Sequence, residues 1–206
     1  MRAPPLPPGR LADQVRFLLE ADLLKSVLRR TLISDGSRFE NSAEHSWHVA
    51  LFALVLSEHA RESVDVSRVM AMLVLHDLVE IDAGDTYVYD EAKLATKASR
   101  EQAAADRLFE LLPSDQRHTL RSLWEEFEAR ESADSRFANA VDRLAAVLLN
   151  YAGRGEPWQR HRVSAPQVRA RNRAVGEAAP ALGEVVRMVV DDSVARGWLA
   201  EDTACP

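Results

Sequence analysis

The chain has 206 residues, 47% hydrophobic and 28% charged, which fits one domain, or at most two small ones, with a real core. Its formal net charge is -6, from 26 basic and 32 acidic side chains, and no dense basic run is present, so a nucleic-acid footprint is not expected. The single cysteine, Cys205, excludes an intrachain disulfide framework and a cysteine zinc site, and no apolar run approaches the length of a membrane span.

Taken in chain order, the periodicity is helical nearly throughout, and strand alternation is almost absent. Residues 1–10, MRAPPLPPGR, carry four prolines and no secretory core, and read as an extended or disordered leader on a cytoplasmic protein. Leu11 to Leu28 is an amphipathic helix, followed by a turn at Ser34-Asp35-Gly36-Ser37. Asn41 and Glu44 have the spacing of a capping box, opening a helix to about Ala60 that is apolar on most faces. Ser67 caps the next helix, which runs to about Glu80. Ala83 to Asp90 is a loop carrying Gly84. Helices follow at about 91–112, 114–130 and 134–151, the first stopped by Pro113. Gly153 to Ser164 is a loop, a helix starts near Pro166, and Pro180 opens the last one. The expected architecture is all-α: a single helical domain over 11–200 with a short tail at 201–206.

Three of these core-like helices carry ionisable groups that an apolar core would reject. His45 lies in the first turn of one, His76 and Asp77 end another, and Asp142 sits inside a third. Imidazoles and carboxylates together suit a divalent first-row metal with positions left for water. The competing reading is that His45 caps a helix end and Asp142 pairs with Arg143 or another basic group, as satisfied buried polar groups commonly do.

AEHSWH (43–48), HDLVEIDAGD (76–85) and FANAVDRL (137–144) resemble, in order and spacing, the HD-domain metal-dependent phosphohydrolases. Within them the chain is most similar to the small 5'-deoxynucleotidase-like enzymes, over about residues 11 to 151. The resemblance implies a helical bundle with the metal between core helices. It implies one divalent ion (Mn, Co, Fe, Mg or Zn) held by His45, His76, Asp77 and Asp142. Glu80 then matches the family glutamate that handles a proton or orients water, and Asp85 the aspartate near the sugar and the reacting water. LKSVLRRT (24–31) resembles the segment whose arginine meets the substrate phosphate; internal spacing favours Arg29, whereas separation from His45 favours Arg30.

Two positions depart from the family pattern. Asn139 stands where a lysine is often found, and no tryptophan follows Arg29, which weakens the expectation of a 2'-deoxy preference. The implied reaction is phosphate removal from nucleoside or deoxynucleoside 5'-monophosphates. The alternatives are an HD hydrolase acting on a cyclic nucleotide or an alarmone, and a metal-bound regulatory module without turnover. A homodimer is expected, with Val185-Val186-Arg187-Met188-Val189-Val190 either between two chains or packed on its own domain. Three further expectations concern peripheral residues. His48 packs in the core or supports the site. His59, His118 and His161 lie on the surface. Trp124 and Phe127 pack against the body.

Overall fold

The computed structural model describes residues 4–87, 89 and 91–202, with Glu91 and Lys93 described by backbone alone. The start of the leader and the end of the tail, with Cys205, lie outside the described residues; Pro4 to Gly9 carry no helix or strand. The all-α expectation holds. Among the described residues there are ten helices, α1 (Arg10–Ala21), α2 (Ser42–Leu56), α3 (Val66–Leu75), α4 (Glu80–Ala83), α5 (Glu91–Phe109), α6 (Ser114–Ala129), α7 (Ala133–Ala152), α8 (Glu156–Arg160), α9 (Ala165–Ala178) and α10 (Pro180–Ala195), and one small hairpin between α1 and α2, β1 (Leu28–Leu32) and β2 (Phe39–Asn41).

The first predicted helix is too long. It stops at Ala21, passes through a tight 3-10 turn at Asp22–Ser26, and becomes β1. Val27, Thr31 and Ile33 are β-branched and favour the pleated conformation. β1 pairs antiparallel with β2, Leu28 opposite Asn41 and Leu32 opposite Phe39. The predicted turn joins them, with the Ser37 N–H donating to Asp35 Oδ1 at 2.8 Å. Arg29 and Arg30 therefore lie on a strand, not on a helix end.

The Asn41–Glu44 capping box is present. Asn41 Oδ1 accepts the Glu44 N–H at 3.0 Å, and Glu44 accepts the Asn41 N–H at 3.2 Å. The next helix begins two residues earlier than expected, with Asp65 rather than Ser67 accepting the Arg68 N–H. It also breaks where it was expected to continue. After Leu75 the backbone tightens: the Leu78 N–H reaches the Leu75 carbonyl and the Glu80 N–H reaches the Asp77 carbonyl. The break sets His76 and Asp77 at a corner between α3 and α4.

The core centres on α7, which packs against α2, α3, α6, α9 and α10. Phe137, Val141 and Leu144 from α7 meet Val49, Ala53, Val69, Met72 and Leu73 from α2 and α3. Each fully buried side chain of this size stabilises the fold by about 1.5–3 kcal/mol. Trp124 and Phe127 are buried, as expected. One local expectation is corrected, and one open alternative is met in part. The loop 153–164 contains α8, which buries Trp158; the chain enters it at Gly155, in the left-handed region, where a Cβ would lie 2.5 Å from the Trp198 carbonyl oxygen. The apolar stretch of α10 buries Val186 and Val190 within its own domain and leaves Val185 and Met188 exposed. Among the described residues no helix is long and apolar enough to cross a membrane.

Candidate active site

The pieces converge where the α3–α4 corner faces β1, the N-terminal turn of α2 and the middle of α7. His76 closes α3. Its Nδ1 stands 2.7 Å from the Leu73 carbonyl oxygen, which can only accept, so Nδ1 carries the proton and Nε2 presents a bare lone pair. Burial pushes His76 down to about 4, which keeps the ring neutral. Its Nε2 is buried and has no hydrogen-bond partner among the described residues. Yet it stands 3.1 Å from Asp77 Oδ1 and 4.0 Å from Asp142 Oδ1.

A lone pair facing two carboxylate oxygens is repulsive unless a cation lies among them, so the donor set fits a metal ion. Donor atoms of His45, His76 and Asp142 all lie within 4.8 Å of one another. His45 Nε2 is 2.8 Å from Asp142 Oδ1. Donors sharing one first-row ion at 2.0–2.2 Å stand about 3–3.6 Å apart, close to these separations. Asp77, the fourth expected ligand, is adjacent but not in that group: its Oδ2 accepts from the Arg29 guanidinium at 2.7 Å.

The surroundings order these groups. Glu40, inward on β2, brings Oε2 to 3.2 Å from His45 Nδ1 and 3.6 Å from Arg29 Nε. A carboxylate behind a ligating imidazole fixes its tautomer and raises its basicity. The Ser42 hydroxyl donates to Glu80 Oε2 at 2.6 Å. Phe127 closes one side, its ring centroid 4.9 Å from that of His76. Gly84 ends α4 at φ 71°, in the left-handed region, and turns the chain towards Asp85. Arg100 on α5 holds this loop through the Ala83 carbonyl and the Thr86 hydroxyl. Glu40 and Ser42 were not anticipated. Ser42 had a signal, lying three residues before His45 on the same helix face; Glu40 had none.

Burial and mutual charge set the protonation. Glu80 is pushed up to about 8, by burial first and then by the Asp77 charge. Asp77 is raised to about 6 by burial, with Arg29 and His45 opposing. Burial also works against Asp142, but His45, His76 and Arg29 outweigh it and hold that carboxylate ionised. Burial and Arg29 disfavour charge on His45, yet its contacts with Asp142 and Glu40 carry it to about 9. A proton there occupies the place a metal cation would take. Arg29 stays charged: burial disfavours it, and Asp77, Glu80, Asp142 and Asp85 offset that cost.

A cleft of about 720 Å³, counted with its open mouth, leads away from this centre. Arg29, Arg30, Asp85, Tyr87, Tyr89 and Asp142 are among its walls. Of the remaining expectations, His48 stacks with Trp47 and meets the Phe52 ring edge-on at 4.8 Å. His59 and His118 are exposed, as expected, whereas His161 is half-buried against Tyr87, ring centroids 4.4 Å apart. Asn139 is structural: its amide donates to the Phe127 and Ser135 carbonyls at 2.8 and 3.0 Å, tying α6 to α7.

The HD domain family model matches residues 21–183. The chain belongs to the HD-domain family. Among curated HD relatives, human 5'-deoxynucleotidase HDDC2 is 29% identical over 135 residues, covering 65% of each chain. The 5'-deoxynucleotidase of Erwinia tasmaniensis is 31% identical over 140 residues, 64% of this chain and 70% of that one. The match thus spans slightly less than two thirds of the human relative's length. The crystal structure of a predicted metal-dependent phosphohydrolase from Magnetospirillum magnetotacticum MS-1 superposes with a TM-score of 0.90 at 49% identity, over 95% of this chain and 98% of that one. A conserved hypothetical protein from Pyrococcus furiosus, 18% identical with a TM-score of 0.62, shares the fold over 88% of this chain.

Proposed function

We propose that the chain is a metal-dependent phosphohydrolase that removes the phosphate from nucleoside 5'-monophosphates. The observation that carries this reading is the bare, buried Nε2 of His76, facing Asp77 and Asp142 beside Arg29 and at the inner end of a cleft. The names of the curated relatives support the substrate class. His45, His76, Asp77 and Asp142 would hold one divalent ion, Asp77 completing the set from its Oδ1. When bound, that ion lowers the pKa of a water and offsets phosphoryl charge.

The chain's own residues would supply the rest. Arg29, charged and fixed on Asp77, orients a phosphate dianion through its remaining donors. Glu80 would accept a proton from the attacking water in its ionised form and return one to the leaving sugar oxygen. The Ser42 hydroxyl fixes its carboxylate for that task. Asp85, at the turn after Gly84, lines the cleft and would meet the sugar. Tyr87 and Tyr89, ring centroids 5.4 Å apart, give the nucleoside an aromatic wall.

We propose further that the chain forms a cytoplasmic homodimer through α2. Trp47, Leu51, Leu54 and Val55 are exposed along one face of that helix, an apolar stripe of the kind that marks an association surface. The test of the activity is phosphate release from a panel of ribo- and deoxynucleoside 5'-monophosphates with Mn, Co, Mg or Zn. Release from several of them is the expected result. No release with any metal would move the reading to a cyclic nucleotide or an alarmone.

A further inference from the structure

Most arginines of this protein are matched by carboxylates. Arg10, Arg38, Arg68, Arg107, Arg136 and Arg187, for example, each pair with an aspartate or glutamate. Of the four arginines that line the cleft, Arg29 keeps to that pattern through Asp77 and the other three do not. Arg30 on β1, Arg143 on α7 and Arg171 on α9 all line it. Among the described residues, none of the three makes an ion pair or a side-chain hydrogen bond to a carboxylate. Arg143 donates only to the Arg171 main-chain carbonyl, at 2.8 Å. Burial first, and then the like charges of Arg171 and Arg130, push Arg143 down to about 10, with Asp142 and Glu177 opposing.

Gathering like charges costs free energy, which the attraction of Asp142 and Glu177 opposes at Arg143, and three separate elements contribute to this cluster. Asn150, two helical turns beyond Arg143 on the same face of α7, lines the same cleft and has a buried amide oxygen without a hydrogen-bond partner. Unmatched cations beside an unsatisfied amide describe a site for an anionic group with a hydroxyl-bearing neighbour. Arg29 is already committed to Asp77 at the inner end. The outer arginines are therefore available for a different part of the substrate.

We infer that Arg143 and Arg171, with Arg30 at the mouth, form a second anion subsite, and that the preferred substrate is a nucleotide carrying another phosphoryl group besides the one removed. This rests on the phosphohydrolase reading above and narrows its substrate class. A nucleoside 3',5'- or 2',5'-bisphosphate has this chemistry: the 5'-phosphate at the inner end, the second phosphate among the outer arginines.

The test compares adenosine 3',5'-bisphosphate, adenosine 2',5'-bisphosphate and AMP as substrates of the metal-loaded protein, scored by phosphate release. At least one bisphosphate is expected to exceed AMP in kcat/KM by about tenfold or more, the scale of one charge-assisted contact. In Arg171→Gln that advantage falls to within about twofold while AMP hydrolysis is unchanged. The same variant should melt at or above the parent temperature, since it loses a repulsion rather than a contact; a purely structural arginine would lower it.

Arg143→Gln provides a second variant, and a thermal-shift titration of the Glu80→Gln protein gives a reading independent of turnover. There a bisphosphate should raise the melting temperature more than AMP, and only while Arg171 is present. Equal kcat/KM for AMP and both bisphosphates overturns the inference while leaving the phosphohydrolase reading intact. So does an advantage that survives both arginine variants. If no 5'-phosphate is released at all, the phosphohydrolase reading fails, and equal thermal shifts would then reject the subsite as well.

Discussion

The Ser42 hydroxyl donates a 2.6 Å hydrogen bond to Glu80 Oε2, joining the first turn of α2 to the first residue of α4. It connects the helix that carries His45 to the proposed proton-handling carboxylate. Glu80→Gln should retain fold and metal while kcat drops by about 10²-fold or more, the usual scale for a positioned acid or base. Ser42→Ala leaves the carboxylate in place but frees its orientation, so a smaller fall in kcat with KM unchanged is expected. Steady-state kinetics on both variants, with metal content measured in parallel, checks the pair. Parent-like kcat in Glu80→Gln would demote Glu80 to a structural acid.

A second expectation concerns the metal. His76 Nε2 is the lone pair proposed to bind the ion, since Nδ1 is taken by the Leu73 carbonyl. Elemental analysis of His76→Ala should show the ion lost. Chelation of the parent protein should lower its melting temperature, since the ion binds only the folded chain and its removal leaves neighbouring carboxylates unscreened. Full metal content in His76→Ala would sink the ligand assignment.

These residues show what the sequence disclosed and what it withheld. Asn41 and Glu44, Pro113, Pro166 and Pro180 act through bonds within one or two turns, so the helices they open or stop were readable from order alone. The hairpin was not. Its strands are five and three residues long, and in five residues Arg29 and Arg30 read equally well as the solvated end of a helix. The break after Leu75 was hidden because the apolar run continues through Leu78 and Val79, both buried at the corner. His45, His76, Asp77 and Asp142 stood out as polar groups at core positions. Glu40 did not, because burial on a three-residue strand depends on contacts made by distant segments.

Outside the site, α5 carries a carboxyl with its own pH signature. Glu101 is pushed up to about 7, mainly by burial, with Lys97 opposing and Glu128 adding to the shift. A carboxyl that holds its proton more tightly folded than unfolded favours the fold fully below its unfolded value, and that contribution is lost as pH rises through about 7. Glu101→Gln removes the term. The variant should therefore gain melting temperature relative to the parent between pH 5 and 8, as read by thermal scans across that range. A difference that does not vary with pH would mean that Lys97, 3.4 Å away, keeps Glu101 ionised throughout.

The association prediction follows from α2. Trp47, Leu51, Leu54 and Val55 follow helical spacing on one exposed face, whereas Val186 and Val190 of α10 are already buried. Light scattering should give about twice the 23.0 kDa chain mass, and Leu54→Glu should return it to the single-chain value by placing charge in the contact. A dilute mass near 23.0 kDa for the parent protein would rule the dimer out.

The last prediction concerns the sugar. In the family resemblance, a tryptophan beside the phosphate arginine can crowd a 2'-hydroxyl. Here Arg29 is followed by Arg30 and Thr31, which both line the cleft. Neither presents a rigid aromatic wall, and the Arg30 chain is long and exposed, so it can move aside. Losing a steric block removes discrimination without adding affinity for ribose. Of the aromatic groups that line the cleft, Tyr87 packs on His161, 4.4 Å between centroids, and Tyr89 packs on Tyr87. The kcat/KM ratio of dAMP to AMP is therefore expected to stay within about tenfold, roughly 1.4 kcal/mol of differential transition-state binding. The measurement is a pair of initial-rate series on the same metal-loaded preparation. A ratio near a thousand would require another residue to exclude the hydroxyl, and the Asp85–Tyr87 stretch is where a substitution series should then begin.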